Sequence, residues 1–145
     1  MAEIEPASAA DHPAIHRLAR ILYGEAVRDY TPVRQASRTF VARKNGEVAG
    51  FVICTFSDYG ITRSGQIDEL AVSETAQGEG IGRDLLETCT DWLKSEGIEV
   101  AFVSVGLEAE EGRLLSERFY RRLGFKPCIG PWFALDLTKP ASAPP

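Results

Sequence analysis

Hydrophobic period changes sharply in the middle of this chain. Residues 66–72 (Gln-Ile-Asp-Glu-Leu-Ala-Val) are rich in aliphatic and β-branched side chains and predict a strand. After a polar, glycine-rich interval, Ile81, Leu85, Leu86, Cys89, Trp92 and Leu93 recur at the spacing of one helix face, and Gly97 supplies the stop. Nearer the start, Asp11 is a candidate N-cap with Pro13 in the first turn, and Ile15, Leu18, Ala19 and Leu22 mark a second helix face. Residues 39–43 and 48–56 predict strands joined by Asn45-Gly46, the strongest short hairpin signal. Further strands are expected at 2–6, 100–105, 125–128 and 133–137, the last two interrupted by Gly130-Pro131, and a helix through Leu114, Leu115, Phe119 and Leu123. Residues 24–38 lack periodicity and read as loop or short helix, and 57–64 as a turn.

The 66–72 strand is irregular. Ile67 and Leu70 are three apart, and Leu70, Ala71 and Val72 are apolar in succession, so simple alternation cannot bury them all on one face. A bulge near Glu69 or Leu70 resolves the conflict, and a buried strand with polar residues at its entry is the plainer alternative.

Between strand and helix stand Gln77, Gly78, Glu79, Gly80, Ile81, Gly82 and Arg83. The first helical N–H groups at such a junction have no intrachain partner and the helix dipole adds positive charge, so an anion is their natural ligand. Glycine leaves room for phosphate to approach the backbone. A P-loop is excluded, because no Lys-Ser or Lys-Thr follows the glycines, and a dinucleotide fingerprint fits poorly, because the spacing is G-x-G-x-G. A tight strand-to-helix turn without ligand remains the structural alternative.

Length and composition fit one globular domain over residues 1–139 with a disordered tail at 140–145. A net charge of -5 argues against non-specific nucleic-acid or membrane-surface binding and suits a cationic visitor better. The start lacks the basic and apolar segments of a signal peptide, and no apolar run reaches membrane-span length, so a cytoplasmic protein is expected. Cys54, Cys89 and Cys128 are widely spaced in apolar contexts and are expected as reduced core residues. His12 and His16 share a helix face but lack a third ligand, so no metal is expected.

Gln77-x-x-Gly80-x-Gly82 resembles the [RQ]-x-x-G-x-[GA] signature of the GNAT superfamily of acyl-CoA-dependent N-acyltransferases. Downstream, Phe119-Tyr120-Arg121-Arg122-Leu123-Gly124-Phe125 is similar to the same family's lYekxGF helix end, with helix, strand and helix between the two matches. The resemblance covers most of the chain. It implies a single-domain α+β fold, with a mixed, mostly antiparallel sheet splayed at the central strand and flanked by helices.

It further implies acetyl-CoA as co-substrate, bound by the loop from Gln77 to Arg83 and by the backbone of Leu70, Ala71 and Val72, with Ser116 contributing from the later helix. By the same resemblance Tyr120 is the general acid for the departing thiolate. A phenol of reference pKa near 10 can serve a thiolate of similar basicity, though Tyr120 also suits packing at a core edge. An ammonium must lose a proton before attack, which points to Asp68 or Glu69 as base; a clamp on a cationic acceptor and a solvent-facing strand charge are the other readings. The family often has Asn where Arg113 stands and Ala where Ser116 stands, and some branches put the acid where Gln66 stands. Arg118, Arg121 and Arg122 read as a solvated face or as contacts to CoA phosphates, and Trp132-Phe133 as core or acceptor-pocket aromatics. The expected activity is acetyl transfer to a primary amine, on a small molecule or on a peptide or protein, with a homodimer as one family assembly. Acyl-CoA binding without turnover, a longer acyl group and an oxygen acceptor are the alternatives.

Overall fold

A computed structural model describes residues 2–23, 34–59, 63–105 and 110–139. Helix α1 spans His12–Tyr23, and strands β1 Arg34–Lys44, β2 Glu47–Asp58 and β3 Arg63–Val72 form an antiparallel meander. Helix α2 (Ile81–Ser95) crosses to β4 (Val100–Ser104), which pairs parallel with β3; α3 (Glu110–Arg122), β5 (Lys126–Pro127) and β6 (Trp132–Asp136) complete the chain. The sheet order is β1-β2-β3-β4-β6-β5, antiparallel except at β3–β4. This is the mixed α+β architecture the sequence led us to expect.

Asn45 (φ 53°) and Gly46 (φ 81°) both adopt the left-handed conformation that a two-residue hairpin requires, and Lys44 pairs with Glu47 across them. Strand β2 then alternates, with Val52, Cys54 and Phe56 buried on the α2 face and Phe51, Ile53 and Thr55 half-buried on the other. Helix α2 lays Leu85, Leu86, Cys89, Trp92 and Leu93 on the first of these faces. It lies so close to β3 that a Cβ at Gly65 would fall 2.8 Å from the Leu93 methyls, so any larger residue there would have to displace the buried Leu93. At its end Gly97 (φ 78°) donates to the Lys94 carbonyl and Ile98 to the Leu93 carbonyl, both at 3.0 Å.

Several elements differ from expectation. Residues 2–6 form no strand; among the described residues they gain no sheet partner, and pairing rather than propensity makes a strand. Arg34 and Arg38, expected in a loop, lie in β1. Arg34 is drawn there by Asp58, a carboxylate 2% exposed that it meets at 3.1 Å and that Arg63 meets at 3.4 Å. Cys128 is exposed rather than buried, because it sits in the turn between the short β5 and β6. The turn expected at 57–64 is shorter, because β2 runs to Asp58 and β3 starts at Arg63. Residues 24–33, 60–62, 106–109 and 140–145 lie outside the described residues, as do the side chains of His12, His16, Ala19, Leu22, Arg113 and Leu114.

Candidate functional site

Strand β3 supplies the first part of the site. Its ladder with β4 runs from Ser64↔Val100 to Ile67↔Val103 and stops there, although β3 continues to Val72. On its other edge β3 stays paired with β2 up to Gly50↔Val72. Beyond Ile67 the sheet is therefore parted, and the β4-facing backbone of Leu70, Ala71 and Val72 has no ladder partner among the described strands. The Val72 carbonyl accepts a hydrogen bond from Gln77 Nε2 at 3.2 Å, tying the loop to the parted strand.

The parting begins at a bulge. Ile53 pairs with Glu69 and Cys54 with Ile67, leaving Asp68 as the extra residue, one position before the expected place. A single insertion reverses the alternation after it. Ile67 faces α2, and so do Leu70 and Val72, which sit opposite Val52 and Gly50. Asp68 and Glu69 consequently share the opposite face, and both are exposed. Thr55 donates a short hydrogen bond to Asp68 Oδ2, and the Ser37 hydroxyl lies 3.3 Å from Thr55 Oγ1. Neither carboxylate forms an ion pair with a described residue.

The loop entering α2 holds Gly78 (φ 84°) and Gly80 (φ 83°) in the left-handed region, and Gly80 is the N-cap. The Asp84 amide is the first to bond back, to the Gly80 carbonyl at 3.0 Å. The amides of the first turn, from Ile81 to Arg83, therefore face outward with the positive end of the helix dipole. A Cβ on Gly78 or Gly80 would meet nothing within 4 Å, so the space beside these amides is open. The Glu79 carboxylate is drawn off by Lys44 (2.6 and 2.8 Å) and Arg83 pairs with Glu87 at 3.0 Å. An anion fits this arrangement without meeting an unpaired carboxylate in the loop.

Helix α3 closes on the same place. A Cβ on Gly82 would lie 3.5 Å from the Phe119 ring and 3.6 Å from a Val72 methyl, so the start of α2, the end of β3 and α3 meet there. The Tyr120 ring packs edge-on against Phe119 at 5.1 Å and Phe125 at 5.4 Å, and Tyr120 is 7% exposed. The chain turns back at Gly124 (φ 93°), with the Phe125 amide donating to the Tyr120 carbonyl at 3.0 Å. Ser116 is half-buried one helical turn before Tyr120. Arg121 lies over the Phe133 ring at 5.3 Å, and Arg118, Arg121 and Arg122 are all exposed.

The structure thus brings Leu70 to Val72, Gln77 to Arg83 and the Phe119–Tyr120 step together, and sets Asp68 and Glu69 on the adjoining open face. Thr55 and Ser37 were not foreseen. Thr55 left a signal, as a polar residue in an otherwise apolar stretch of β2, but Ser37 did not: the register of the Asn45-Gly46 turn alone puts Ala36 opposite Thr55, and the shift between Ala42 and Arg43 brings Ser37 there instead.

A mixed sheet parted beside a glycine-rich helix start is the arrangement that the resemblance to the GNAT superfamily implies. Residues 7–125 match the acetyltransferase (GNAT) family, and the chain belongs to it. An uncharacterised N-acetyltransferase of Chlorobaculum tepidum is 31% identical over 127 residues, covering 85% of this chain and 74% of the relative. Another, from Archaeoglobus fulgidus, is 34% identical over 90 residues, 60% of this chain and 58% of its own length. Among solved structures, nourseothricin acetyltransferase superposes with a TM-score of 0.60 at 24% identity, over 70% of this chain and 65% of its own. The Escherichia coli ribosomal-protein-S18-alanine N-acetyltransferase gives 0.52 at 18% identity over 92% of each chain. A mutant of the AtaT toxin bound to the C-terminus of the antitoxin AtaR and acetyl-CoA gives 0.56 at 21% identity, over 70% of this chain and 69% of its own. At these identities the structural likeness is one of fold.

Proposed function

We propose that this protein transfers an acetyl group from acetyl-CoA to a primary amine by direct attack. The observation that carries the reading is the parting of β3 from β4 beyond Ile67, directly beside the open amides at the start of α2. The residues fit the co-substrate. Outward amides from Ile81 to Arg83, with open space beside Gly78 and Gly80, suit a pyrophosphate, and the unladdered backbone of Leu70, Ala71 and Val72 suits the amide-rich pantetheine arm. A relative in fold, the AtaT toxin, is solved with acetyl-CoA.

Acetyl-CoA supplies an activated thioester; the chain's part is to hold it, neutralise the amine and manage protons. Asp68 or Glu69 accepts the ammonium proton or holds the cation, on the face where the bulge turns both carboxylates outward. Backbone N–H groups at the parted strand stabilise negative charge developing on the acyl oxygen. The Tyr120 hydroxyl gives its proton to the departing sulfur. Incubation with acetyl-CoA and a panel of primary amines, read by free thiol release and product mass, tests the proposal. Acetylated amine with stoichiometric CoA is the expected result, and thiol release without amine product would overturn it.

A further inference from the structure

We infer that the acceptor is a primary amine carrying a compact apolar or aromatic body, seated in a pocket between β3, β4 and the turn before β6; this rests on the amine-transfer reading above. The pocket has a volume of about 260 Å³ and is lined by Gln66, Phe102, Cys128, Ile129 and Trp132. Sheet register places it on the same face as the carboxylates. Gln66 pairs with Thr55 on one side and Phe102 on the other, and Thr55 is the residue that holds Asp68. Ser104↔Trp132 and Phe102↔Ala134 carry that face onto β6, while Val103 and Phe133 turn toward the core.

The mouth is built rather than incidental. The Cys128 amide donates to the Trp132 carbonyl at 2.9 Å and the Trp132 amide to the Ile129 carbonyl at 3.0 Å, which fixes the turn. That turn holds Ile129 75% exposed at the rim, an apolar side chain with no core to join. Among its lining residues the pocket offers one amide, Gln66, and no charge.

Charge complementarity selects the occupant. Gln66 and Asp68 are two positions apart on β3, on the order of 6–7 Å along an extended strand. A molecule with its apolar part against Phe102, Trp132 and Ile129 therefore brings a short amine arm to the Asp68–Glu69 pair. A cavity of about 150 Å³ holds benzene, so the pocket has room for a single or fused ring or a branched alkyl group. A polyamine would leave the apolar walls unused.

The test compares methylamine, 3-methylbutylamine, 2-phenylethylamine and putrescine as acceptors with acetyl-CoA, alongside calorimetric binding of the same amines in the presence of CoA. Specificity of about tenfold to a hundredfold for 2-phenylethylamine over methylamine is expected, carried by KM. Ile129→Gln, at an exposed position that leaves the fold intact, should shrink that ratio severalfold, and Trp132→Leu should shrink it further. Acetylation of methylamine and 2-phenylethylamine at equal kcat/KM would overturn the pocket and leave amine transfer standing. A rise in affinity with apolar size but no turnover would support the pocket and remove amine transfer. Absence of both binding and turnover across the series would overturn the inference.

Discussion

Thr55 Oγ1 donates to Asp68 Oδ2 across the β2–β3 bulge, and the Ser37 hydroxyl stands 3.3 Å from that same Thr55 oxygen. The three side chains form a line over three adjacent strands. It pins the one residue that the bulge frees from pairing. Asp68 Oδ2 is the oxygen engaged, and Asp68 and its neighbour Glu69 are both exposed.

This arrangement gives separable kinetic expectations. If Asp68 or Glu69 is the base, Asp68→Asn or Glu69→Gln should depress kcat/KM, with the loss shrinking as pH rises toward the amine's own pKa of about 10.4. If the carboxylate is a clamp, KM for cationic amines should rise with kcat maintained. Thr55→Val leaves the Asp68 carboxylate in place but unpinned, so a loss of roughly tenfold is expected, recovered in Thr55→Ser. Wild-type kinetics in both carboxylate variants would take the pair out of the mechanism.

Gly80 and Gly82 should respond differently to the same added methyl. Gly80 has φ 83° with open space where a Cβ would go, so Gly80→Ala strains the backbone by roughly 1–2 kcal/mol and places a methyl beside the anion-binding amides. Its CoA affinity should fall at least tenfold. At Gly82 the new Cβ meets Phe119 and Val72 at ordinary contact distances of 3.5 and 3.6 Å, so Gly82→Ala should preserve both melting temperature and CoA affinity. Titration calorimetry on both variants checks the contrast; unchanged affinity in Gly80→Ala would move the pyrophosphate elsewhere.

Much of this site was legible in the sequence because its physics is local. The glycines, the helix face from Ile81 to Leu93 and the Asn45-Gly46 turn act through neighbouring residues, and they fold as read. Apolar crowding at 67–72 likewise revealed a bulge, but not its position, which depends on the register with β2. Pairings between distant segments were not legible. Arg34 joins β1 through Asp58 and Glu96, the latter 62 residues away, and nothing local to residues 24–38 announces that. Thr55 beside Asp68, and Gln66 beside Phe102, follow only from the sheet order. Family resemblance, not local pattern, gives Tyr120 its proposed role, and its burial against Phe119 and Phe125 serves packing.

Tyr120→Phe tests that role. The ring contacts at 5.1 and 5.4 Å do not need the hydroxyl, so the packing of α3 should survive. General acid catalysis contributes on the order of a hundredfold to ten-thousandfold, and a loss of that size is expected in the single-turnover rate at saturating acetyl-CoA, with CoA affinity near wild type. A variant acetylating at the wild-type single-turnover rate would return Tyr120 to packing alone.

The cysteines give an expectation independent of catalysis. Cys54 on β2 and Cys89 on α2 are both 0% exposed, and Cys128 is exposed. The hydrogen bond with the Cys54 thiol, and then burial, push the Cys89 thiol well above its ordinary value. A thiol whose folded pKa is raised contributes stability that is complete below the unfolded value, about 8.5, and is lost as pH rises through the folded value. Urea midpoints measured from pH 7 to pH 10.5 should therefore decline at the alkaline end. Cys89→Ala also removes the hydrogen-bond partner of Cys54 and should be less stable at pH 7, because it leaves a cavity at the α2–β2 contact. A thiol-reactive chromophore at pH 8 should modify Cys128 quickly in the native protein and reach Cys54 and Cys89 only on unfolding. Rapid native labelling of Cys89 would show that the α2–β2 contact opens far more readily than its packing implies.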